Sequence, residues 1–595
     1  MAAMYHAPQK DIRFVLDELL GVQSLAGSPG LADYSPELAE SVLNEAARFA
    51  QDVLEPLNQS GDREGARWTP DGVITAKGFK QAYQQFVAGG WPQLGADPEY
   101  GGQSVPQALG TAVREMWGSA NLAFKLCPML TLGAVEAMKL CATPEQKTRY
   151  LTKMVSGEWT GTMVLTEPHA GSDLGLIRTR CVPEGDHYRM YGQKIFITWG
   201  DHDCTDNIVH MVIARIEGSP PGTRGISLFI VPKFLVNDDG SLGARNEVRC
   251  VSIEHKLGIH ASPTCSLAFG DDEGAIAYLI GEPNRGLEYM FIMMNAARLS
   301  VGVEGYAVAE RSFQRAAEWA RNRVQGKPPT GAATGPAPII HHPDVKRMLL
   351  TMKSSTEAMR ALAMYAAFQL DVSEHHADEN VRKTAHARAE LLIPVVKGWC
   401  TELGNEMTAV GIQVHGGMGF IEETGAAQYM RDVRITTIYE GTTGIQANDL
   451  LGRKMGRDRG AAVSALLQEM TRDLAALKTT DEAAGATVRA ATDAVTALRD
   501  CTQSLLQALA TSPDRALAVA VPYLMLSGYV IGGWLMAKSA VIAASKLAGN
   551  DREFHAAKLR TTLFYAQQVL PRSLGLARIV QEGGASVTGT DATAI

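Results

Sequence analysis

"GTMVLTEPHAGSDLG", residues 161–175, is where the texture of this chain changes. Upstream, ELAESVLNEAARFAQDVLEPL carries Leu38, Val42, Ala46, Phe49 and Val53 at three- and four-residue spacing, the period of a helix with one apolar face. From residue 161 to about 282 the pattern becomes short β-rich runs, among them GTMVLTEP, HYRMYGQKIFITWG, NIVHMVIARI, GISLFIVP, VRCVSIEHKLG and CSLAFG, parted by Gly, Pro and Asp turns. This predicts an antiparallel sandwich or small barrel. The helical period returns from 283 to about 470, broken by the Pro/Gly loop QGKPPTGAATGPAP at 325–338, which is expected to be mobile. An alanine-rich helical stretch follows, with TTDEAAGAT as its linker. The expected class is therefore an α+β multidomain chain: residues 1–160 helical, 161–282 β, 283–470 helical, and 471–595 an additional C-terminal helical domain.

At 595 residues the chain exceeds what one hydrophobic core supports. A net charge of −8, with basic residues spread along the chain, argues against a nucleic-acid or polybasic membrane surface. Eight cysteines without a C-x-x-C pair suit neither a zinc site nor a disulfide framework, and no metal site is expected. The N-terminal MAAMYHAPQKDIRF lacks an apolar core and an Arg/Ser-rich transit pattern, so a cytoplasmic location is expected. Residues 516–537, ALAVAVPYLMLSGYVIGGWLMA, carry no charge and reach the length of a membrane span. Their Pro, Ser and Gly content and their amphipathic surroundings favour a helix, or helix pair, buried between other helices.

Five stretches could carry chemistry. Gly171 and Ser172, in a turn after a strand, can aim N–H groups and a hydroxyl at a phosphate or ring edge, or be an ordinary turn. In GQKIFITWG, alternation sends Phe196 and Thr198 to one face, where they could line a flat ring or simply pack in the core. The helix from 298 to 323 sets Arg298 and Arg323 within about 20° of one face but about 37 Å apart. If both serve one kind of site, a second subunit supplies one of them to each copy; otherwise they are surface arginines. AVGIQVHGGMGFIEETG, 409–425, has glycines at 416, 417 and 419 that permit close backbone approach to a ligand. Neither a dinucleotide fingerprint, a P-loop nor an H-E-x-x-H occurs. Lastly, Glu440 in TIYEGTTGI stands alone before a turn that Thr442 or Thr443 can cap. Shielding by Ile438 and Tyr439 would raise its pKa and the helix N-terminus would lower it, giving a base near neutral pH or a surface acid steadying the helix dipole.

In this order and spacing, LTEPHAGSD, QKIFIT, KLGIHASPT, QVHGGMGF and IYEGT resemble the acyl-CoA dehydrogenases, over residues 35–455. The long N-terminal segment and the C-terminal extension are similar to the branch of 3-methylmercaptopropionyl-CoA and broad-range bacterial acyl-CoA dehydrogenases. The resemblance implies FAD held between an N-terminal helical domain, a middle β domain and a C-terminal four-helix bundle. It makes Glu440 the base that takes the α-proton of an acyl-CoA thioester while flavin N5 accepts the β-hydride, with the Glu440 N–H in the oxyanion hole. It assigns FAD contacts to Met163, Val164, Leu165, Thr166, Ser172, Phe196, Ile197, Thr198, Thr442 and Gly444, with Arg323, Gln413 and Gly417 reaching the FAD of a partner subunit. Substrate contacts would come from Ser172, Asn295, Arg298 and Gly441. Phe196 stands where many members have Trp, and Gly444 where many have Gln. An electron-transfer flavoprotein as acceptor and a homodimer are also implied. The rivals are an acyl-CoA oxidase using dioxygen and a non-enzymatic acyl-CoA- or flavin-binding scaffold; Glu440 speaks against the scaffold. Met293 and Met294 suit a limited acyl pocket, or core filling.

Overall fold

Strands occur only between residues 67 and 280 among the residues that the computed structural model describes, 5–329 and 335–594. They are β1 (Arg67–Thr69), β2 (Gly72–Ile74), β3 (Trp159–Val164), β4 (Arg180–Glu184), β5 (His187–Thr198), β6 (Asn207–Ile216), β7 (Ser227–Pro232), β8 (Phe234–Val236), β9 (Leu242–Arg245), β10 (Val248–Ile253), β11 (Thr264–Phe269) and β12 (Ala275–Ile280). The principal sheet runs β10-β11-β5-β12-β7-β6-β3, and β4 pairs with both β5 and β6. The expectation of an all-antiparallel sheet is corrected at two places, because β3 and β4 each run parallel to β6. β3 is buried along its whole length and reaches β6 through a long connection, which is what a parallel neighbour requires. The reading of the first 160 residues as helical is likewise corrected by the β1–β2 hairpin of RWTPDGVI, whose two short strands escaped a search tuned to longer runs.

The chain folds into two compact units that do not follow chain order. One comprises residues 1–47, 106–119 and 298–595; the other comprises 48–105 and 120–297. The second unit holds the sheet, with Val164, Met190, Ile197, Val212, Phe229 and Leu267 among its core.

In the first unit the long helices include Pro343–His375, Glu379–His415 and Glu482–Thr511, together with the part of Gly286–Asn322 that begins at Arg298. The 516–537 stretch divides into a short helix, Pro513–Ala518, and the long helix Ala520–Ser545, as its helix-pair reading allowed. The long helix is apolar enough to cross a membrane, yet 83% of its most apolar window is buried in protein. Its glycines explain how: a Cβ on Gly528 would lie 2.1 Å from Trp399 Cγ, so this residue lets the extension press against the 379–415 helix. The extension thus packs inside the first unit. TTDEAAGAT is not a linker as a whole, since a helix starts at Glu482 after Asp481, whose carboxylate accepts the Ala484 N–H. At the other end of the chain Asp11 and Glu357 both take the buried ammonium of Lys558, the latter at 2.7 Å.

The loop at 325–338 is closed at its base: the Gln325 N–H donates to Ala337 O (3.1 Å) and the Ile339 N–H to Arg323 O (2.8 Å). Residues 330–334 of this loop lie outside the described residues.

Candidate active site

Glu440 has φ +56° and Gly441 φ +89°, two consecutive left-handed residues, the first of them a non-glycine that bears strain there. Thr442, not Thr443, caps the helix Thr443–Asn448, its hydroxyl accepting the Ile445 N–H. The Thr443 hydroxyl instead donates to Glu402 at 2.5 Å. The Glu440 side chain is half-buried, and among the described residues its carboxylate makes no hydrogen bond or ion pair. Burial pushes its pKa from 4.5 up to about 7; Arg298 and Lys397 oppose the rise and Glu304 adds to it. The reading of an acid without basic neighbours is therefore amended: two buried cations act on it through space. The expected shield is amended too, since Ile438 is 48% exposed and the Tyr439 hydroxyl is spent on Glu304.

Lys397 is a residue that sequence reasoning missed. It lies in the apolar run LLIPVVKGWC, fully buried, and its ammonium donates to Gly441 O at 2.6 Å. Gln446 Nε2 holds the preceding carbonyl, Glu440 O, at 3.0 Å. A lone lysine inside an apolar helical run was the available signal.

Arg298 is no surface arginine: it is 3% exposed and pairs with Asp449 at 3.0 Å. Asp449 also takes Arg453 at 2.6 Å. Arg323, one residue beyond the end of the same helix, is exposed, as are Gln413 and Gly417 at the end of the 379–415 helix. Gly444 has open space beyond Thr442 Oγ1 at 3.8 Å, so the missing Gln side chain leaves a gap there.

The remaining candidates belong to the other unit. Met163 and Val164 end β3 and are buried. Leu165 O is taken by the Lys194 ammonium (2.9 Å) and Thr166 O by the Ile195 N–H (2.9 Å). Lys194 also pairs at 2.9 Å with Glu167, which accepts from the N–H groups of Arg178 and Thr179. This buried knot fixes the TEPHAGSD turn to β5. Opposite Ser266, β5 carries a bulge: Ile197 pairs with Cys265 and Lys194 with Leu267. Phe196 sits in it with φ +60° and 57% of its surface exposed, so the core-facing alternative is excluded, while Ile197 turns into the core. The hydroxyls of Thr166, Ser172 and Thr198 make no hydrogen bond among the described residues. An exposed flat ring with three uncommitted hydroxyls in its strand–turn neighbourhood fits the demands of a flavin. Asn295 is half-buried, and Met293 is buried against Gly133, whose Cβ would meet it at 3.0 Å, which makes Met293 core filling.

The acyl-CoA dehydrogenase N-terminal, middle and C-terminal domains match residues 36–158, 162–271 and 284–455, and an acetyl-CoA dehydrogenase C-terminal-like domain matches 466–591. The 3-methylmercaptopropionyl-CoA dehydrogenase of Ruegeria pomeroyi is 45% identical over 98% of this chain and 100% of its own. The chain belongs to the acyl-CoA dehydrogenase family. The broad-specificity linear acyl-CoA dehydrogenase FadE5 of Mycobacterium tuberculosis is 35% identical over 95% of this chain and 96% of its own. The Bacillus anthracis acyl-CoA dehydrogenase complexed with FAD shares the fold, at TM-score 0.74 and 22% identity over 96% of this chain and 91% of that one. This acyl-CoA dehydrogenase is an FAD-dependent oxidoreductase of acyl-CoA thioesters, with N-terminal helical, middle β and C-terminal helical regions.

Proposed function

We propose that this dehydrogenase converts a short acyl-CoA, 3-methylthiopropionyl-CoA in the first place, to its trans-2-enoyl-CoA with Glu440 as the base. The observation that carries the base is the uncommitted, half-buried carboxylate of Glu440, poised near neutral pH on a strained turn. It takes the α-proton; bound FAD supplies the acceptor for the two electrons and hydrogen of the β-carbon. The Glu440 N–H stabilises the thioester oxygen as charge develops on it. Phe196 offers its ring face to the flavin, and Thr166, Ser172 and Thr198 offer hydroxyls; Met163, Val164, Leu165 and Ile197 shape the backbone around them. Thr442 and Gly444 border the flavin beside the base. Arg323, Gln413 and Gly417, all exposed, serve the FAD of a second subunit in a homodimer.

The substrate reading draws on the full-length 45% identity to the Ruegeria pomeroyi enzyme; the FadE5 relative supports a broader linear-chain alternative. Ser172, Asn295, Arg298 and Gly441 are the substrate contacts proposed. An electron-transfer flavoprotein is the proposed acceptor, the cytoplasm the proposed location, and closure of the middle sheet into a barrel beside a four-helix bundle the proposed finer architecture. The circuit of pairings β5–β12–β7–β6–β4–β5 supports the barrel.

The test is anaerobic bleaching of flavin absorbance by 3-methylthiopropionyl-, butyryl-, octanoyl- and palmitoyl-CoA. Fastest bleaching by 3-methylthiopropionyl-CoA is expected. Fastest bleaching by octanoyl- or palmitoyl-CoA would overturn the short-chain reading, and rapid reoxidation of the reduced enzyme by air would turn the acceptor assignment toward an oxidase.

A further inference from the structure

Two left-handed residues in succession carry their carbonyls out of any helix or sheet ladder, and such groups need donors from elsewhere when they are shielded from water. After Glu440 those donors are side chains. Lys397 Nζ binds Gly441 O at 2.6 Å, and Gln446 Nε2 spans Glu440 O at 3.0 Å and Gly441 O at 3.5 Å. Both donors are fully buried. An ammonium buried as fully as that of Lys397 is costly, and a core lysine without a task would be replaced by an apolar residue at a gain. From the same helix Glu402 accepts the hydroxyl of Thr443, so the turn is gripped on both sides of Thr442.

The charges facing Glu440 sort unequally. From the 286–322 helix come Arg298, committed to Asp449, and Glu304, which accepts the Tyr439 hydroxyl. Asp449 takes Arg453 as well. From the 379–415 helix come Lys397 and Glu402. Among the described residues Lys397 forms no ion pair, so its charge is not spent elsewhere.

We propose that Lys397, with Gln446 as its companion, is the positioning residue of the base: it fixes the left-handed Glu440–Gly441 turn through the Gly441 carbonyl and sets a positive charge beside the carboxylate. The inference rests on the reading of Glu440 as the base. Burial depresses the Lys397 ammonium to about 8, with Glu440 and Glu402 holding it up, so the two groups sustain each other's charge.

The experiment uses the FAD-loaded enzyme and compares Lys397→Met, Lys397→Arg, Gln446→Leu and Glu440→Gln by flavin content, kcat, KM and the pH dependence of kcat/KM. For Lys397→Met the acid limb is expected to move up by about one pH unit, with kcat lowered about 100-fold and KM changed far less. Lys397→Arg keeps the charge and is expected to restore the limb. Gln446→Leu is expected to lower kcat about tenfold with the limb unmoved. A purely structural lysine would leave the limb in place. Wild-type kcat and limb in flavin-bound Lys397→Met would overturn the proposal. Should that variant fail to fold, wild-type kcat in Gln446→Leu would overturn it instead. Retained turnover in Glu440→Gln would fault the base reading itself, whereas an inactive Glu440→Gln beside an unaltered Lys397→Met would fault only the positioning role.

Discussion

Arg298 and Asp449 form an ion pair at 3.0 Å with 3% and 2% of their side chains exposed. Asp449 also sits at the start of a π-helical turn, Asp449–Met455, just past the helix that follows Glu440. Removing one partner of such a pair strands a buried charge. Asp449→Ala is expected to destabilise the protein by about 3–5 kcal/mol, while Arg298→Met with Asp449→Leu should recover most of that loss. Chemical denaturation of the three proteins checks it.

The carboxyl of Glu440 links stability to pH. Its folded pKa, about 7, lies above the ordinary 4.5, so the native state binds more protons between these values and loses stability as pH rises through them. Glu440→Gln removes that loss. It should stabilise the protein at pH 8, by at most about 3 kcal/mol, and the gain should vanish below about pH 4.5. Melting temperatures at the two pH values give the sign. The same carboxyl should give kcat/KM an acid limb near pH 7.

Gly441 and Gly444, three residues apart, should respond oppositely to alanine. At Gly441 φ is +89° and a Cβ would meet Gln446 Nε2 at 2.7 Å, so Gly441→Ala is expected to cost about 1–3 kcal/mol and most of the activity. Gly444 lies in a helix with room around it in the flavin-free chain, and Gly444→Ala should leave the flavin-free protein neutral or stabilised by up to about 1 kcal/mol. Thermal melts of both variants without flavin, and turnover of Gly441→Ala, decide it.

What the sequence made legible and what it hid differ in kind. Glu440, Ser172 and Phe196 stand in short motifs whose spacing along the chain is itself the signal. The helical regions, the β region and the buried 516–537 stretch follow from period and composition. Lys397 and Gln446 were hidden because a polar residue's duty to a carbonyl 44 or 5 residues away leaves no periodic trace. The partner of Arg298, Asp449, is 151 residues distant and equally untraceable. Strand alternation placed Phe196 and Thr198 on one side, but the bulge that exposes Phe196 needs a left-handed aromatic residue, which sequence preference disfavours. Parallel pairing of β3 with β6 depends on chain return in space, not on either strand's own pattern.

The C-terminal extension should be inseparable from the helices it covers. Gly528 faces Trp399 so closely that Gly528→Ala leaves no room for a methyl group, and a loss of about 3 kcal/mol or more is expected from overpacking. The readout is the denaturation midpoint, followed by both far-UV ellipticity and tryptophan fluorescence; a wild-type midpoint would contradict the close packing.

The proposed chemistry turns on Glu440 as the base, and the sharpest check is the anaerobic rate of flavin bleaching in Glu440→Gln, loaded with FAD to the wild-type level and mixed with the fastest thioester. Yellow colour and acyl-CoA binding should be retained, with the bleaching rate lowered by a factor on the order of 100 to 10,000. Bleaching at the wild-type rate would show that another group takes the proton.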